Sequence, residues 1–547
     1  MQRKNLIQIL SLSLSTLGSR ILGLIRDSVL FSSLGNSLYS SAFIMAFTIP
    51  NLFRRLLGEG ALTSAFVPIF TQAHLEDRKQ AFHILNQTLS RMTLLFGKIL
   101  FFGFIGITLL WLFLPFPLSW MTAIPMIQVL LPYAALICIA AILTAALNSV
   151  GKFLLSSFSP VILNLSMIAA LALGTFHWKL GPHAMAYLLC AGVLIGGVGQ
   201  LLLPAAQLWR HGWRPKWDLN SSDPLQHMKG LFMTATAGAA IVQLNTLITR
   251  IIAYQVSDEA VSQLYLASRL TELPLGVFSV AIYTVLFPAL SQLSSLEKTD
   301  AFQKTCRQGL LLTLAVTLPA ATGLCWLAEP ILSLLFQWGR FDAQAVASTT
   351  PVLQLYAWSV PLHATIAFLT RVLHAKQDMR SPLIVSQWAI GVNIALSIAL
   401  MIPFGAAGMA SAGVLTASFQ TVALAKLMRK NPESMRFIGL RKPILLMLLG
   451  CAVLSLGLLA LHLLMPFEAA TFDRMHTLKR TLAAISGGAL LYLISVWASG
   501  LFRCCRELRA PAPFKGNPAP LKEDASPSNE GIKPGDHPSR GMPPRGR

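Results

Sequence analysis

Charged side chains recur at helical spacing inside stretches that are otherwise apolar, a pattern suited to holding anions. SRILGLIRDS, Ser19–Ser28, lies in an apolar run from Leu6 to about Leu34 and carries Arg20, Arg26 and Asp27. Arg20 and Asp27 are seven residues apart and share a helix face about two turns apart, while Arg26 points about a third of a turn away. PNLFRRLLGEG, Pro50–Gly60, adds Arg54, Arg55 and Glu59; Arg55 and Glu59 are i,i+4 neighbours and Arg54 points elsewhere. Pro50 can break that helix, and Gly58 and Gly60 can end it near a cavity. Arg250, Arg269 and Glu272 occupy corresponding runs farther along. Arginine stays charged when buried, and an unpaired charge at mid-bilayer costs a few kcal/mol or more. These groups must therefore pair or line water. Arg55, near a helix end, reads as a snorkelling side chain; Arg26, Arg54 and Arg269 read as ligand groups. Arginine in excess of carboxylate gives a cavity of positive potential, and guanidinium forks bind phosphate bidentately. The expected cargo is anionic, a phosphate or pyrophosphate.

The elements that position these residues are membrane spans. The chain has 547 residues, 54% hydrophobic and 12% charged, with a mean hydropathy of +0.62. Apolar runs of the roughly 20 residues needed to cross a bilayer core recur along nearly its whole length. Continuous runs, not short alternating strands, exclude a closed barrel. The fold class is an all-α polytopic membrane protein. Spans are predicted at 6–32, 38–58, 88–115, 126–149, 158–178, 184–208, 229–255, 262–290, 308–336, 349–374, 383–402, 405–427, 442–465 and 480–502, about fourteen in all. One set of loops holds Arg78, Lys79, Lys152, Arg210, Arg214, Lys216, Lys298, Lys304, Lys376, Arg380, Arg429 and Lys430. The alternate loops are poor in lysine and arginine, with Lys179, Arg340 and Arg474 as departures. The positive-inside rule then puts both termini in the cytoplasm.

The net charge of +21 belongs to loops and tail, and no soluble domain remains for nucleic acid. None of the seven cysteines forms a CxxC or a His/Cys metal pattern, so neither disulfide framework nor metal site is expected. MQRKNLIQIL starts a run too long for a signal peptide and is read as the uncleaved first span. From about Arg506 the chain is rich in Pro, Gly and Ser and is read as a disordered tail.

An internal repeat organises the spans. LYSSAFIMAFTIP at Leu38 matches LYLASRLTELP at Leu264 in its ends, and FVPIFTQ at Phe66 matches LFPALSQ at Leu286. SPVIL at Ser159 matches SPLIV at Ser381, and AGVL at Ala191 recurs at Ala412, all at offsets of about 220 to 230 residues. Six spans per copy makes them parallel repeats about an axis along the membrane normal, an architecture of alternating-access transporters. The domains are an N-lobe over 1–217, a C-lobe over 218–430, two extra spans within 431–503 and a cytoplasmic tail over 504–547.

SRILGLIRD, SSAFIMAFTIPNLFRRLLGEGALTSAFVPIFTQ, ASRLTELPLGVFSVAIYTVLFPALSQ and LFQWGRFDA closely resemble the MurJ (MviN) lipid II flippases, within the multidrug/oligosaccharidyl-lipid/polysaccharide exporter superfamily. The likeness runs from about Leu6 to Arg503. It implies two six-helix lobes, with two further helices forming a groove for the polyprenyl tail. It implies movement of lipid II, a polyprenyl-pyrophosphate-linked disaccharide peptide, from the cytoplasmic to the periplasmic leaflet of the bacterial inner membrane. Arg26, Arg54 and Arg269 then match the arginines that hold the pyrophosphate, Asp27 and Glu59 the acidic residues of that cavity, and Arg20 a further functional arginine. Asn51, Arg55 and Arg250 are secondary candidates. The partners implied are lipid II, membrane lipids and the cell-wall synthesis machinery; no cofactor is implied.

The sequence departs from the family at SSAF, where Ser41 replaces an aspartate, and at ASR, where Ser268 replaces another. Some members bind sodium through C-lobe carboxylates; the aligned positions here are Thr249 and Ser397, so no sodium site is expected. A flippase of another polyprenyl-linked oligosaccharide, of O-antigen or capsule type, is the alternative. A membrane-embedded glycosyltransferase would need a carboxylate base or metal-binding acids in a polar loop, and the loop acids are scattered, as at Asp258, Glu259 and Asp342.

Overall fold

A computed structural model describes residues 3–56, 62–152, 158–220, 223–276, 280–430, 439–466 and 473–500. The tail over 504–547, with Cys504 and Cys505, lies outside the described residues, as does Glu59. Among the described residues every regular element is a helix. In chain order they are α1 (Arg3–Leu34), α2 (Leu38–Phe53), α3 (Leu62–Glu76), α4 (Arg78–Phe113), α5 (Leu118–Ser149), α6 (Ser159–Ala172), α7 (Pro182–Arg210), α8 (Asp223–Val256) and α9 (Ala260–Pro274). There follow α10 (Val280–Ser295), α11 (Thr299–Trp326), α12 (Ala328–Phe336), α13 (Ala343–Ala357), α14 (Ser359–Ala375), α15 (Arg380–Lys430), α16 (Arg441–Leu464) and α17 (Arg474–Ala498). Among the described residues nine helical stretches are long and apolar enough to cross a membrane.

Several predicted spans are interrupted, each for a local reason. The span placed at 308–336 stops at Trp326 and restarts at Ala328, because Pro330 has no N–H for the Trp326 carbonyl and its ring clashes there. The span placed at 262–290 divides into α9 and α10 around Pro274 and Gly276. The one placed at 38–58 is regular only to Phe53, and α3 adds a segment that no predicted span included. The spans placed at 383–402 and 405–427 are the two arms of α15, which kinks at Gly405 with a positive φ of 58°; glycine adopts that conformation without a Cβ penalty.

The halves repeat in their packing. α1 lies on α6 as α8 lies on α15; α2 lies on α5 as α9 lies on α13; α3 lies on α4 as α10 lies on α11. α16 and α17 pack on each other and against α11. Burial separates inner from outer helices: the most apolar stretch of α5 is 61% buried, that of α4 only 6%. Phe101, Phe102, Leu112 and Phe113 of α4 point outward, which a chain tolerates where lipid, not water, is the neighbour.

Candidate functional site

α2 and α9 break alike. Pro50 near the end of α2 is followed by a π-helical turn at 54–56, and Pro274 at the end of α9 by one at 275–276. A π turn widens the backbone and re-aims side chains, which is why such turns gather at functional sites. Here the first carries Arg54 and Arg55, and the second carries Gly276. A Cβ at Gly276 would collide with the Arg20 guanidinium, and one at Gly23 would meet Arg269 Nη2 at 2.5 Å. The two glycines leave the space through which these arginines cross between the halves.

Between the halves lies a cavity of about 760 Å³. Arg20, Arg26, Asp27, Asn51, Arg54, Arg55, Arg250 and Arg269 all line it. The sequence-predicted residues that are described are thus brought to one place, although they come from α1, α2, α8 and α9.

They are not equivalent within it. Asp27 is fully buried and organises the deep end. Its Oδ1 accepts from Arg26 Nε at 3.0 Å, Arg26 Nη2 at 2.6 Å and the Tyr265 hydroxyl at 3.0 Å. Its Oδ2 accepts from Arg269 Nε at 3.0 Å. Arg26 also donates to Asn164 Oδ1 at 3.1 Å, and Arg269 Nη1 reaches Glu272 at 3.2 Å. Arg26 was expected to point off the Arg20–Asp27 stripe; its guanidinium instead folds back onto the adjacent carboxylate, a reach that helical phase does not capture. Arg54 Nε donates to Asn51 Oδ1 at 2.9 Å. Arg250 donates to the Thr48 hydroxyl and lies over the Tyr265 ring, 5.9 Å from its centroid. Arg20 and Arg55 make no hydrogen bond or ion pair with another described residue. Two cations thus share one buried carboxylate at the deep end, and Arg20 and Arg55 line the same cavity without a partner among the described residues.

One end of the gap between the halves is sealed. Ser40 and Ser41 hydroxyls meet that of Ser262 at 2.9 and 2.8 Å, all three fully buried. Asn36 Nδ2 donates to Glu259 Oε2 at 3.0 Å, and the Arg340 N–H to the Ser32 carbonyl at 2.9 Å. Gly339, at a φ of 55°, sits where a Cβ would lie 2.5 Å from that carbonyl. This end carries the loops poor in lysine and arginine. Of the departures from that rule, Arg340 belongs to the seal, and Arg474 stacks on the Trp338 ring at 3.2 Å.

A family model for the lipid II flippase MurJ matches residues 30–478. The chain belongs to the MurJ family. A probable lipid II flippase MurJ of Bdellovibrio bacteriovorus is 31% identical over 460 residues, covering 82% of this chain and 87% of that protein. The lipid II flippase MurJ of Burkholderia cenocepacia is 31% identical over 403 residues, covering 71% of this chain and 76% of that protein. In fold, the chain is similar to a solved lipid II flippase MurJ in an inward closed conformation, with a TM-score of 0.73 at 23% identity over 91% of this chain and 99% of that one. An inward-facing multidrug resistance MATE family transporter gives 0.61 at 13% identity, over 76% and 94%.

Against the MurJ pattern, Ser41 gains a structural account: its hydroxyl joins the seal through Ser262. Ser268 donates to the Tyr265 carbonyl at 2.9 Å and lines the cavity. Neither Thr249 nor Ser397 is a carboxylate; Thr249 lies in a neutral cluster between α8 and α15, and Ser397 is fully buried. Asn393 Nδ2 donates to Thr249 Oγ1 at 2.8 Å and to Asn245 Oδ1 at 3.1 Å. Sequence reasoning missed Tyr265, Asn164 and Ser262. Tyr265 was legible as the i,i+4 neighbour of Arg269, and Asn164 as a polar residue inside an apolar span. Ser262 left no signal, since its role exists only across the halves.

Proposed function

We propose that this chain flips lipid II across the bacterial inner membrane by alternating access, supplying precursor for cell-wall synthesis. The observation that carries the reading is the cavity between the repeats, arginine-lined and sealed at one end, in a chain of the MurJ family. The helices count as fourteen passages when α2–α3, α9–α10, α11–α12 and α13–α14 each make one and α15 makes two. That number, with basic loops inside, keeps both termini cytoplasmic and directs the cavity mouth to the cytoplasm. Residues 1–217 and 218–430 act as the moving lobes, and α16–α17 guide the lipid tail.

The pyrophosphate first meets Arg20, Arg54 and Arg55, whose forks suit its oxygens. Arg269 follows through Nη2, its Nε being held by Asp27 and its Nη1 by Glu272. Arg26 acts chiefly by holding Asp27 in place. Neutralising these cations lowers their mutual repulsion, and the cargo drives closure to the extent that it binds the closing state better than the open one. Membrane potential adds about 2.3 kcal/mol per unit charge moved through 100 mV. The chemistry of the site is binding and release, with no bond made or broken.

The test is complementation. The native lipid II flippase of a bacterium is depleted, this chain is expressed, and growth and outer-leaflet lipid II are followed together. Rescue by the wild type, lost in Arg54→Ala and Arg269→Ala at matched expression, is the expected result. Rescue surviving both substitutions overturns the site, and failure of a correctly inserted wild type assigns the chain another lipid-linked cargo, such as an O-antigen intermediate.

A further inference from the structure

The lining of the central cavity is divided by charge. Among the described residues, every charged side chain that lines it comes from α1, α8, α9 or the turn that follows α2. The part built by α5, α6 and α7 carries no charge. At about 760 Å³ the cavity falls within the roughly 300–1,000 Å³ that encloses whole ligands of drug size. A pyrophosphate on the arginines therefore leaves room along the neutral lining for the group joined to it.

α5 supplies the open polar groups of that lining. Ala141, Thr144, Ala145 and Asn148 all line the cavity, at the i, i+3, i+4 and i+7 spacing of one helix face. Helical threonines elsewhere, such as Thr88, Thr313 and Thr365, donate to the carbonyl four residues back. Thr144 does not. Neither its hydroxyl nor Asn148 Nδ2 makes a hydrogen bond with another described residue, and neither atom is closed off from the cavity. The polar groups around them are engaged. Gln200 Nε2 donates to the Ser159 carbonyl at 2.8 Å, Gln200 Oε1 accepts from the Tyr133 hydroxyl at 3.1 Å, and Asn164 accepts from Arg26. These bonds tie α5, α6 and α7 together, so the face is set before a ligand arrives. It also begins beside the arginines. Cys138 of α5 meets the carbonyl of Phe53, the neighbour of Arg54, at 3.6 Å, and Thr144 lies about 9 Å farther along the helix at 1.5 Å per residue.

Hydroxyl and amide groups donate and accept without charge, and the alanines between them leave a shallow face on which a ring can lie. That suits a sugar, whose hydroxyls also do both. A peptide's free carboxylates or ammonium groups would stand unpaired there. We propose that Thr144 and Asn148 hold the neutral sugar joined directly to the cargo's pyrophosphate, and so select a glycosylated cargo over the bare polyprenyl pyrophosphate. The proposal rests on the lipid II reading given above. It supplies a distinction that the arginines do not make: transfer of the sugars to an acceptor leaves the same lipid pyrophosphate without them, and guanidinium groups bind both alike.

The full chain, purified in detergent, is titrated by native mass spectrometry with ligands of one polyprenyl length: the bare pyrophosphate, the pyrophosphate carrying the disaccharide, and that form carrying its peptide. The disaccharide form is expected to bind about tenfold more tightly than the bare pyrophosphate, the scale of two neutral hydrogen bonds. Thr144→Val combined with Asn148→Leu should bring that preference to about twofold or less and leave binding of the bare pyrophosphate unchanged. Arg54→Ala should weaken every ligand alike. A purely structural role for Thr144 and Asn148 would lower every affinity and keep the ratio. Equal binding of the bare and disaccharide forms by the wild type, or full preference in the double variant, overturns the proposal while the arginine site stands. A gain that appears only with the peptide also overturns it, assigning the face to the peptide. Failure of the wild type to bind any of these ligands removes the lipid II reading and the proposal with it. Should the double variant fail to fold, Ala141→Leu sets bulk on the same face and should weaken the disaccharide form about fivefold; unchanged affinities there overturn the proposal instead.

Discussion

α1 packs on α6 in the first repeat much as α8 packs on α15 in the second, yet the polar chemistry at the two contacts differs. In the first, Arg26 of α1 reaches Asn164 of α6 while it grips Asp27. In the second, Asn393 of α15 donates to Asn245 and Thr249 of α8, and Thr416 approaches Asn393 Oδ1 at 3.5 Å. One contact is made by a charged side chain and borders the cavity; the other is neutral and closed on itself. Packing of a helix pair is satisfied by either, because small and polar residues join helices in lipid without any charge. On the proposed function the charged contact lies where the cargo is held, and Arg250 and Arg269 of the second repeat line the same cavity.

The sharpest way to break this contrast is Asp27→Ala. Removing the carboxylate strands Arg26 and Arg269 around a buried space, and breaking a buried pair costs about 3–5 kcal/mol. Outer-leaflet lipid II should fall at least about tenfold, with a lowered thermal midpoint in detergent; an unchanged midpoint would mean that the ionic contact does not hold α1. Arg269→Lys keeps the charge and removes the fork. Flipping is expected to drop about tenfold with little loss of stability, and full activity would show that a point charge suffices. On the neutral side, Asn393→Leu leaves Thr249 and Asn245 without their donor and should cost about 1–3 kcal/mol. Flipping should nonetheless be the same in sodium and in potassium, within about twofold; a sodium requirement would place an ion in that cluster after all.

The seal gives smaller effects. Ser262→Ala removes hydroxyl contacts with Ser40 and Ser41, worth about 1 kcal/mol each. Cross-linking of cysteines placed at Ser32 and Arg340 should slow about fivefold as that end opens more often. The least effect is expected from pH. Burial, and then the neighbouring Asp258 and Asp342 carboxylates, raise the Glu259 pKa above its ordinary value. The sealed form therefore binds that proton more tightly than the opened one. Its contribution is full below the ordinary carboxylate pKa and is lost as pH rises through the raised value. Cross-linking should decline across that window, and Glu259→Gln should flatten it.

Most of the architecture was legible because hydropathy is a property of consecutive residues. Spans, basic loops, the repeat and the family motifs all follow from local composition. The interruptions were harder: Pro330 and Pro274 signal breaks only once helix phase is known, and Gly405 shows its positive φ only in the folded backbone. The candidate site was legible in its arginines, which no apolar span carries without a reason.

The sequence by itself determined that this chain is an all-helical membrane protein of the MurJ family that carries arginines within apolar stretches, since a guanidinium in lipid is too costly to be incidental. Tertiary structure decided what each charge does. Arg26 is spent on Asp27, Arg269 is shared between Asp27 and Glu272, and Arg20 passes through the space left by Gly276. Those outcomes depend on which helices meet, and a side chain's partner is fixed by distance in space, which spacing along the chain does not encode.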